Sequence, residues 1–236
     1  RVRESEGIDQ HIFAKALAIK AGGQGPAVLV AVDNLAVPAE IREQLAVRLA
    51  QKVALRNECF TLCSTHTHTA PMLKGVCACL FGSDIPPEHQ ERIDRYTREL
   101  TDKLEKVVLS ALEACRPATL AWGQTKAGFA WNRRSQGGPV DHDLPVIVAR
   151  DEAGKVRAIL FTYACHCTTM SDTPNRICGD WGGYAQEYLE RDHPGAIALA
   201  TIGCGADANP KPRTGLEYAK SNGDRKSTRL NSSHRT

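Results

Sequence analysis

Two apolar runs, Ile12 to Ile19 and Ala27 to Val32, flank the segment Ala21-Gly22-Gly23-Gln24-Gly25-Pro26, the pattern of two strands joined by a turn. Asp33 ends the second run. From about Pro38, apolar residues recur at helical spacing (Ile41, Leu45, Leu49, Val53), and Pro38 suits the first turn of that helix. Glu58 to Thr65 reads as the next strand. A loop over 71–87, with Gly75, Gly82, Pro86 and Pro87, has the composition of a segment that covers a site. A long amphipathic helix follows from about Glu88 to Ala114, with Ile93, Leu100, Leu104, Val107, Val108 and Leu112 on its inner face. Strands are predicted near Thr119 to Gly123, Leu144 to Arg150 and Val156 to Tyr163, the last two joined by the tight turn Asp151-Glu152-Ala153-Gly154. A helix from about Gly183 to Arg191 and a strand from Ala196 to Ile202 complete the pattern. This order mixes β-α-β units with hairpins. It predicts an α/β fold with a mixed β-sheet, or two sheets, and flanking helices in a single domain over 1–223.

Composition narrows the function classes. The 236 residues are 42% hydrophobic and 24% charged, as in one large globular domain or two small ones. No apolar run approaches the ~20 residues of a membrane helix. The chain opens at Arg1 in folded-looking sequence, so the N-terminus is expected to be missing and the lack of a signal peptide carries no information. At the other end, Asp224-Arg225-Lys226-Ser227-Thr228-Arg229-Leu230-Asn231-Ser232-Ser233-His234 resembles a common sequencing-library adapter translated in frame. Residues 224–236 are therefore expected to be non-native. Setting them aside removes Arg225, Lys226, Arg229 and Arg235 against Asp224, and the remaining 26 basic and 26 acidic residues balance. The apparent basicity disappears, and with it the main support for nucleic-acid binding.

The nine cysteines include no Cys-x-x-Cys pair, which argues against a zinc ribbon or a thioredoxin-like motif. Cys165-His166-Cys167 looks like a metal cluster, but in a strand both cysteines would share the face opposite His166. Buried thiols are the expected state, while Cys77 and Cys79 are placed to form a disulfide.

The chemistry gathers at strand ends. In Ser64-Thr65-His66-Thr67-His68-Thr69-Ala70-Pro71, strand geometry would point His66 and His68 the same way, about 7 Å apart, toward one metal ion or one substrate. His166 follows the strand Val156 to Tyr163, and Gly203-Cys204-Gly205-Ala206-Asp207-Ala208-Asn209-Pro210 follows the last strand. Singly, each has a plainer reading: a solvated strand end, a satisfied core histidine, a Gly/Asn/Pro turn. Together at strand C-termini, where α/β folds bind ligands, they suggest a site. The histidines suit zinc with one position left open, and zinc-bound water attacking a carbonyl would make this metal-assisted hydrolysis.

These residues also carry a family resemblance. Ser64 to Pro71 resembles the Ser-Thr-His-Thr-His-Ser-Gly-Pro signature of the neutral/alkaline (non-lysosomal) ceramidases. Asn132-Arg133 is similar to the start of their Asn-Arg-Ser motif, and Val140-Asp141 before a strand also fits. His166 followed by Gly179-Asp180-Trp181-Gly182-Gly183-Tyr184-Ala185 resembles their His…Gly-Asp-x-x-Gly-Tyr-Ala segment. Order and approximate spacing agree from about Gly7 to Pro210.

The resemblance implies an N-terminal catalytic domain that hydrolyses the amide bond of ceramide to sphingosine and fatty acid with one zinc ion. His66 and His166 then correspond to zinc ligands, and His68 to a residue beside the substrate amide that stabilises it or shuttles protons. Arg133 corresponds to an arginine on the substrate head group or oxyanion. The rest of the family's zinc shell is a glutamate and a tyrosine from downstream, so the stretch by itself is not expected to turn over. A small-molecule or lipid amide substrate follows, with room for peripheral membrane contact and a secreted, periplasmic or membrane-associated setting; the oligomeric state is not readable. One departure stands out. The family's Gly-Asp-x-Ser-Pro-Asn has a serine where this chain has Asn209 or Ala208, depending on which residues are aligned. An amide cannot replace a serine as nucleophile, although Asn209 can donate to an oxyanion. The alternative implied is a catalytically inactive lipid- or glycan-binding domain of the same fold.

Overall fold

A computed structural model describes residues 4–76, 84–170 and 175–232, with side chains through Asp224. β1 (Ala14–Ile19) and β2 (Ala27–Val32) form an antiparallel pair in the register Ala14↔Val32 to Ile19↔Ala27. Their turn uses Gly22 and Gly23 at φ 47° and 78°, a region that side chains disfavour. α1 (Ala39–Val53) crosses over to β3 (Phe60–Ser64), which pairs parallel with β2. α2 (Pro87–Glu113) packs against β1 and α1. Val28, Val30 and Val32 of β2 meet Ile41, Leu45 and Leu49 of α1 and Leu100, Leu104 and Val108 of α2 in one core. Val53, expected on the same stripe, is exposed because it sits in the last turn of α1.

The second sheet runs β4 (Ala118–Lys126), β6 (Asp143–Asp151), β7 (Val156–Tyr163) and β8 (Ile197–Ile202), in that spatial order. β6 and β7 form the predicted antiparallel hairpin; β7 and β8 are parallel, linked through α3 (Asp180–Asp192). α4 (Leu216–Ser232) lies on α3. A two-stranded sheet not expected from the sequence pairs β5 (Ala130–Asn132) with β9 (Ala208–Pro210). The fold is thus mixed α/β, in several sheets rather than one, with no closed barrel. Among the described residues no helix is long and apolar enough to cross a membrane.

The two larger sheets meet along β8, which touches β1, β2 and β3. The chain leaving β2, β3, β7 and β8 at their C-terminal ends therefore converges on one region. Beneath it, Phe129, Tyr163 and Trp181 form an aromatic cluster with ring centroids 5.1–6.0 Å apart. Residues 77–83 and 171–174 lie outside the described residues, and with them the Cys77–Cys79 pairing and most of the expected covering loop.

Candidate functional site

The His-Thr-His segment is not strand. β3 ends at Ser64, and His66 has φ 60°, in the left-handed region that non-glycine residues rarely occupy. The imidazoles of His66 and His68 still emerge on one side, because the threonines that alternate with them are drawn to the other. Thr65, Thr67 and Thr69 are all buried. The Thr67 and Thr69 hydroxyls both donate to the Cys178 carbonyl, at 2.8 and 2.7 Å. The pair is closer than a strand would set it: ring centroids lie 4.9 Å apart and the two Nε2 atoms 3.3 Å apart. The expected spacing of about 7 Å is corrected by the turn at His66.

His166 arrives from β7. Its ring lies 4.7 Å from that of His66 and 6.4 Å from that of His68. It too stands outside the strand, on a connection whose flanking Cys165 and Cys167 are fully buried thiols outside any disulfide. The Trp181 indole N–H donates to the His166 carbonyl at 2.8 Å, and Asp180, at φ 57°, accepts the Met170 and Trp181 amides at 2.9 and 2.6 Å. This explains the Gly-Asp-Trp segment physically: it is the clamp on the His166 connection.

Both His66 and His166 are held by the same device. His66 Nδ1 lies 2.7 Å from the Leu35 carbonyl, and His166 Nδ1 lies 2.8 and 3.1 Å from the carbonyls of Gly205 and Ala208. A carbonyl can only accept, so each Nδ1 carries the proton and each Nε2 presents a lone pair. An N–H anchored to a backbone carbonyl is the usual outer support of a metal-bound imidazole. Among the described residues no group of three or more His, Cys, Asp and Glu is arranged to hold a metal ion. What the chain offers is two oriented donors that fit zinc, with His68 beside them. Since His66 Nε2 is the acceptor, His68 Nε2–H is the donor across their 3.3 Å contact.

Arg133 and Asn209 are brought to the same place by the small sheet. Pairing of Trp131 with Asn209 and Asn132 with Ala208 lays Arg133 beside the segment that holds His166. The Arg133 amide donates to the Asp207 carbonyl at 2.7 Å and its Nε to the Ala206 carbonyl at 3.1 Å. Asn209 Oδ1 accepts the Thr168 hydroxyl at 3.3 Å, two residues beyond His166. Arg213, which the sequence did not single out, donates to the Thr168 carbonyl at 3.2 Å, and its charge, like that of Arg133, acts on His68. His68 is pushed down to about 4, first by partial burial, then by His66, His166 and the two arginines. His66 is also lowered, chiefly by burial, with its Leu35 hydrogen bond opposing. Both rings are therefore neutral at pH 7, the state that binds a metal or takes up a proton.

Sequence reasoning missed the supports. Asn132 Nδ2 donates to Asp207 Oδ2 at 3.0 Å and to the Pro139 carbonyl at 2.9 Å, while its Oδ1 caps the amides of Arg134 and Ser135. Gly205 has no room for a side chain: a Cβ there would lie 2.4 Å from Cys165 N. An Asn closing a strand and a glycine pair around Cys204 were the available signals.

No family model matches the chain. Over 197 residues, 75% of its length, it is 24% identical to neutral ceramidase A of Dictyostelium discoideum, and over 80% of its length it is 25% identical to neutral ceramidase B of the same organism. It spans 26% and 29% of those proteins, roughly a quarter of their length. Its fold is that of the neutral ceramidase from Pseudomonas aeruginosa (TM-score 0.78, 20% identity, 96% of this chain and 39% of that one). It is also that of a ceramidase complexed with C2 (TM-score 0.80, 18% identity, 98% and 39%). With the His-Thr-His loop and its partners as described, the chain is similar to neutral ceramidases in sequence and shares their fold.

Proposed function

We propose that the chain carries part of the catalytic centre of a zinc-dependent hydrolase of N-acyl amide bonds, acting on ceramide or a related amide or ester. The observation that supports this most is the matched pair of His66 and His166, their rings 4.7 Å apart, each with Nδ1–H tied to a main-chain carbonyl so that Nε2 keeps its lone pair. These two atoms would hold the ion. When bound, zinc supplies Lewis-acid polarisation of an acyl carbonyl and activation of water near neutral pH. His68, neutral and in contact with His66, is the group placed to take the proton released on attack and return it to the leaving amine. Arg133, steadied through its Nε and amide, supplies a fixed positive charge for the oxyanion or head group. Asn209 supplies an amide on the same rim. The reaction breaks the C–N bond, gives the acyl carbon a hydroxyl and leaves the amine with the proton.

One observation favours a second reading, an inactive lipid- or glycan-binding domain. Ala208 is buried with its carbonyl on His166, and Asn209 stands beside it, so neither position offers a hydroxyl. One experiment separates the two. The full-length protein is analysed for zinc and assayed on a panel of N-acyl amides and esters, with and without His166→Ala. Turnover that the substitution removes together with bound zinc supports the hydrolase. Retained zinc with no turnover on the panel overturns it in favour of the binder.

A further inference from the structure

Asp33 is a carboxylate buried to 3% exposure at the point where four parts of the fold meet. Its Oδ2 accepts the Phe13 amide at 3.0 Å, just before β1, while its own amide donates back to the Phe13 carbonyl at 2.9 Å. Its Oδ1 accepts Gln186 Nε2 of α3 at 3.2 Å. The Lys15 ammonium acts on it from β1, and the Thr65 hydroxyl lies beside it, close enough to help hold its charge. Thr65 Oγ1 is itself fully buried and makes no hydrogen bond of ordinary geometry. Burial pushes the Asp33 carboxyl upward, and the hydrogen bonds it accepts from Phe13 and Gln186 oppose that cost.

The surroundings indicate what it holds. Thr65 is the residue before His66, and Leu35, whose carbonyl receives His66 Nδ1–H, lies two residues after Asp33. The Thr65 and Asn34 amides both donate to the Val32 carbonyl at 2.9 Å, and Asn34 Nδ2 donates to the Pro71 carbonyl at 3.1 Å. The end of β2 and the His-Thr-His loop are thus laced together on either side of the carboxylate. His66 needs such support, because its left-handed backbone persists only where neighbours over-determine it. We propose that Asp33 is a positioning residue for His66, fixing through Thr65 and the Leu35 turn the single imidazole tautomer that presents Nε2 to the site. The proposal rests on the reading of His66 as a zinc ligand for its functional meaning, but its physical content does not.

The test reads tautomers directly. Long-range 1H–15N NMR of the histidine-labelled chain in chelator is compared for the wild type, Asp33→Ala, Asp33→Asn and Thr65→Val. In the wild type His66 and His166 are both expected as the Nδ1–H form. In Asp33→Ala and Thr65→Val, His66 is expected to lose that single form while His166, held by Gly205 and Ala208, keeps it. Asp33→Asn, which retains an acceptor oxygen, is expected to restore His66. In the full-length protein, the two selective variants are expected to bind zinc about 10- to 100-fold more weakly. An unchanged His66 in folded Thr65→Val overturns the proposal, whether or not Asp33→Ala folds. So does a joint change of His66 and His166, which marks general loosening. Selective loss at His66 in a protein that binds no zinc leaves the positioning role standing and removes the zinc-hydrolase reading instead.

Discussion

His166 donates its Nδ1–H to the Gly205 carbonyl, 2.8 Å away, and Gly205 itself is pressed against the backbone at Ala164 and Cys165. A Cβ on Gly205 would lie 2.4 Å from Cys165 N and 2.5 Å from Ala164 C, contacts that only a shift of the main chain relieves. Gly205→Ala is therefore expected to cost about 3 kcal/mol of stability, the upper end for overpacking. On the proposed role of His166 as a zinc ligand, it is also expected to weaken zinc binding of the full-length protein about 10-fold by turning the ring. Denaturant titration and zinc competition check both. A neutral result would mean that the carbonyl does not orient the ring.

Asn132 uses its amide completely, donating to Asp207 and Pro139 and accepting from Arg134 and Ser135. Asn132→Ala leaves these groups unpaired and is expected to cost about 2 kcal/mol. Asn132→Asp keeps the acceptor side but places a carboxylate against Asp207, so at neutral pH it is expected to be the worse substitution. Urea unfolding of the two variants ranks them.

The low value of His68, about 4 against an ordinary 6.5, has a signed consequence. Between these values the unfolded chain binds a proton that the folded chain refuses, so stability is greatest above about 6.5 and falls as the pH drops toward 4. His66, also lowered, acts in the same direction. In chelator, unfolding free energy is expected to decline over this window, and His68→Asn is expected to flatten the decline. Stability measured at several pH values decides it.

The thiols divide by burial. Cys165, Cys167 and Cys178 are fully buried, and Cys178 is pushed up to about 12 by desolvation, which keeps it protonated and unreactive. Cys204 is exposed. Peptide mapping after iodoacetamide treatment of the native chain is expected to find Cys204 modified, and the three buried thiols modified only in denaturant.

Much of the fold was legible from pattern. β2, β7 and the hairpin from β6 to β7 follow directly from apolar runs and a turn, and α1 and α2 from the spacing of Ile41, Leu45 and Leu49 and of Leu100, Leu104 and Val108. These are local features, in which neighbouring residues state their own periodicity. The three-residue strands Ala130–Asn132 and Ala208–Pro210 were not legible, since neither has a period and each exists only because the other pairs with it.

The site divides in the same way. The sequence by itself singled out three imidazoles, because His66, His68 and His166 stand in motifs that a single chain displays. It also determined that no hydroxyl stands at Ala208 or Asn209. Only the tertiary structure decided how the rings are held: a left-handed turn rather than a strand at His66, the Leu35 and Gly205 carbonyls as anchors, and Asp33 and Trp181 behind them. Those supports join residues more than a hundred positions apart in some cases, as Thr67 joins Cys178. Hydrogen bonds of that kind depend on where two sheets meet, and spacing along the chain carries no trace of it.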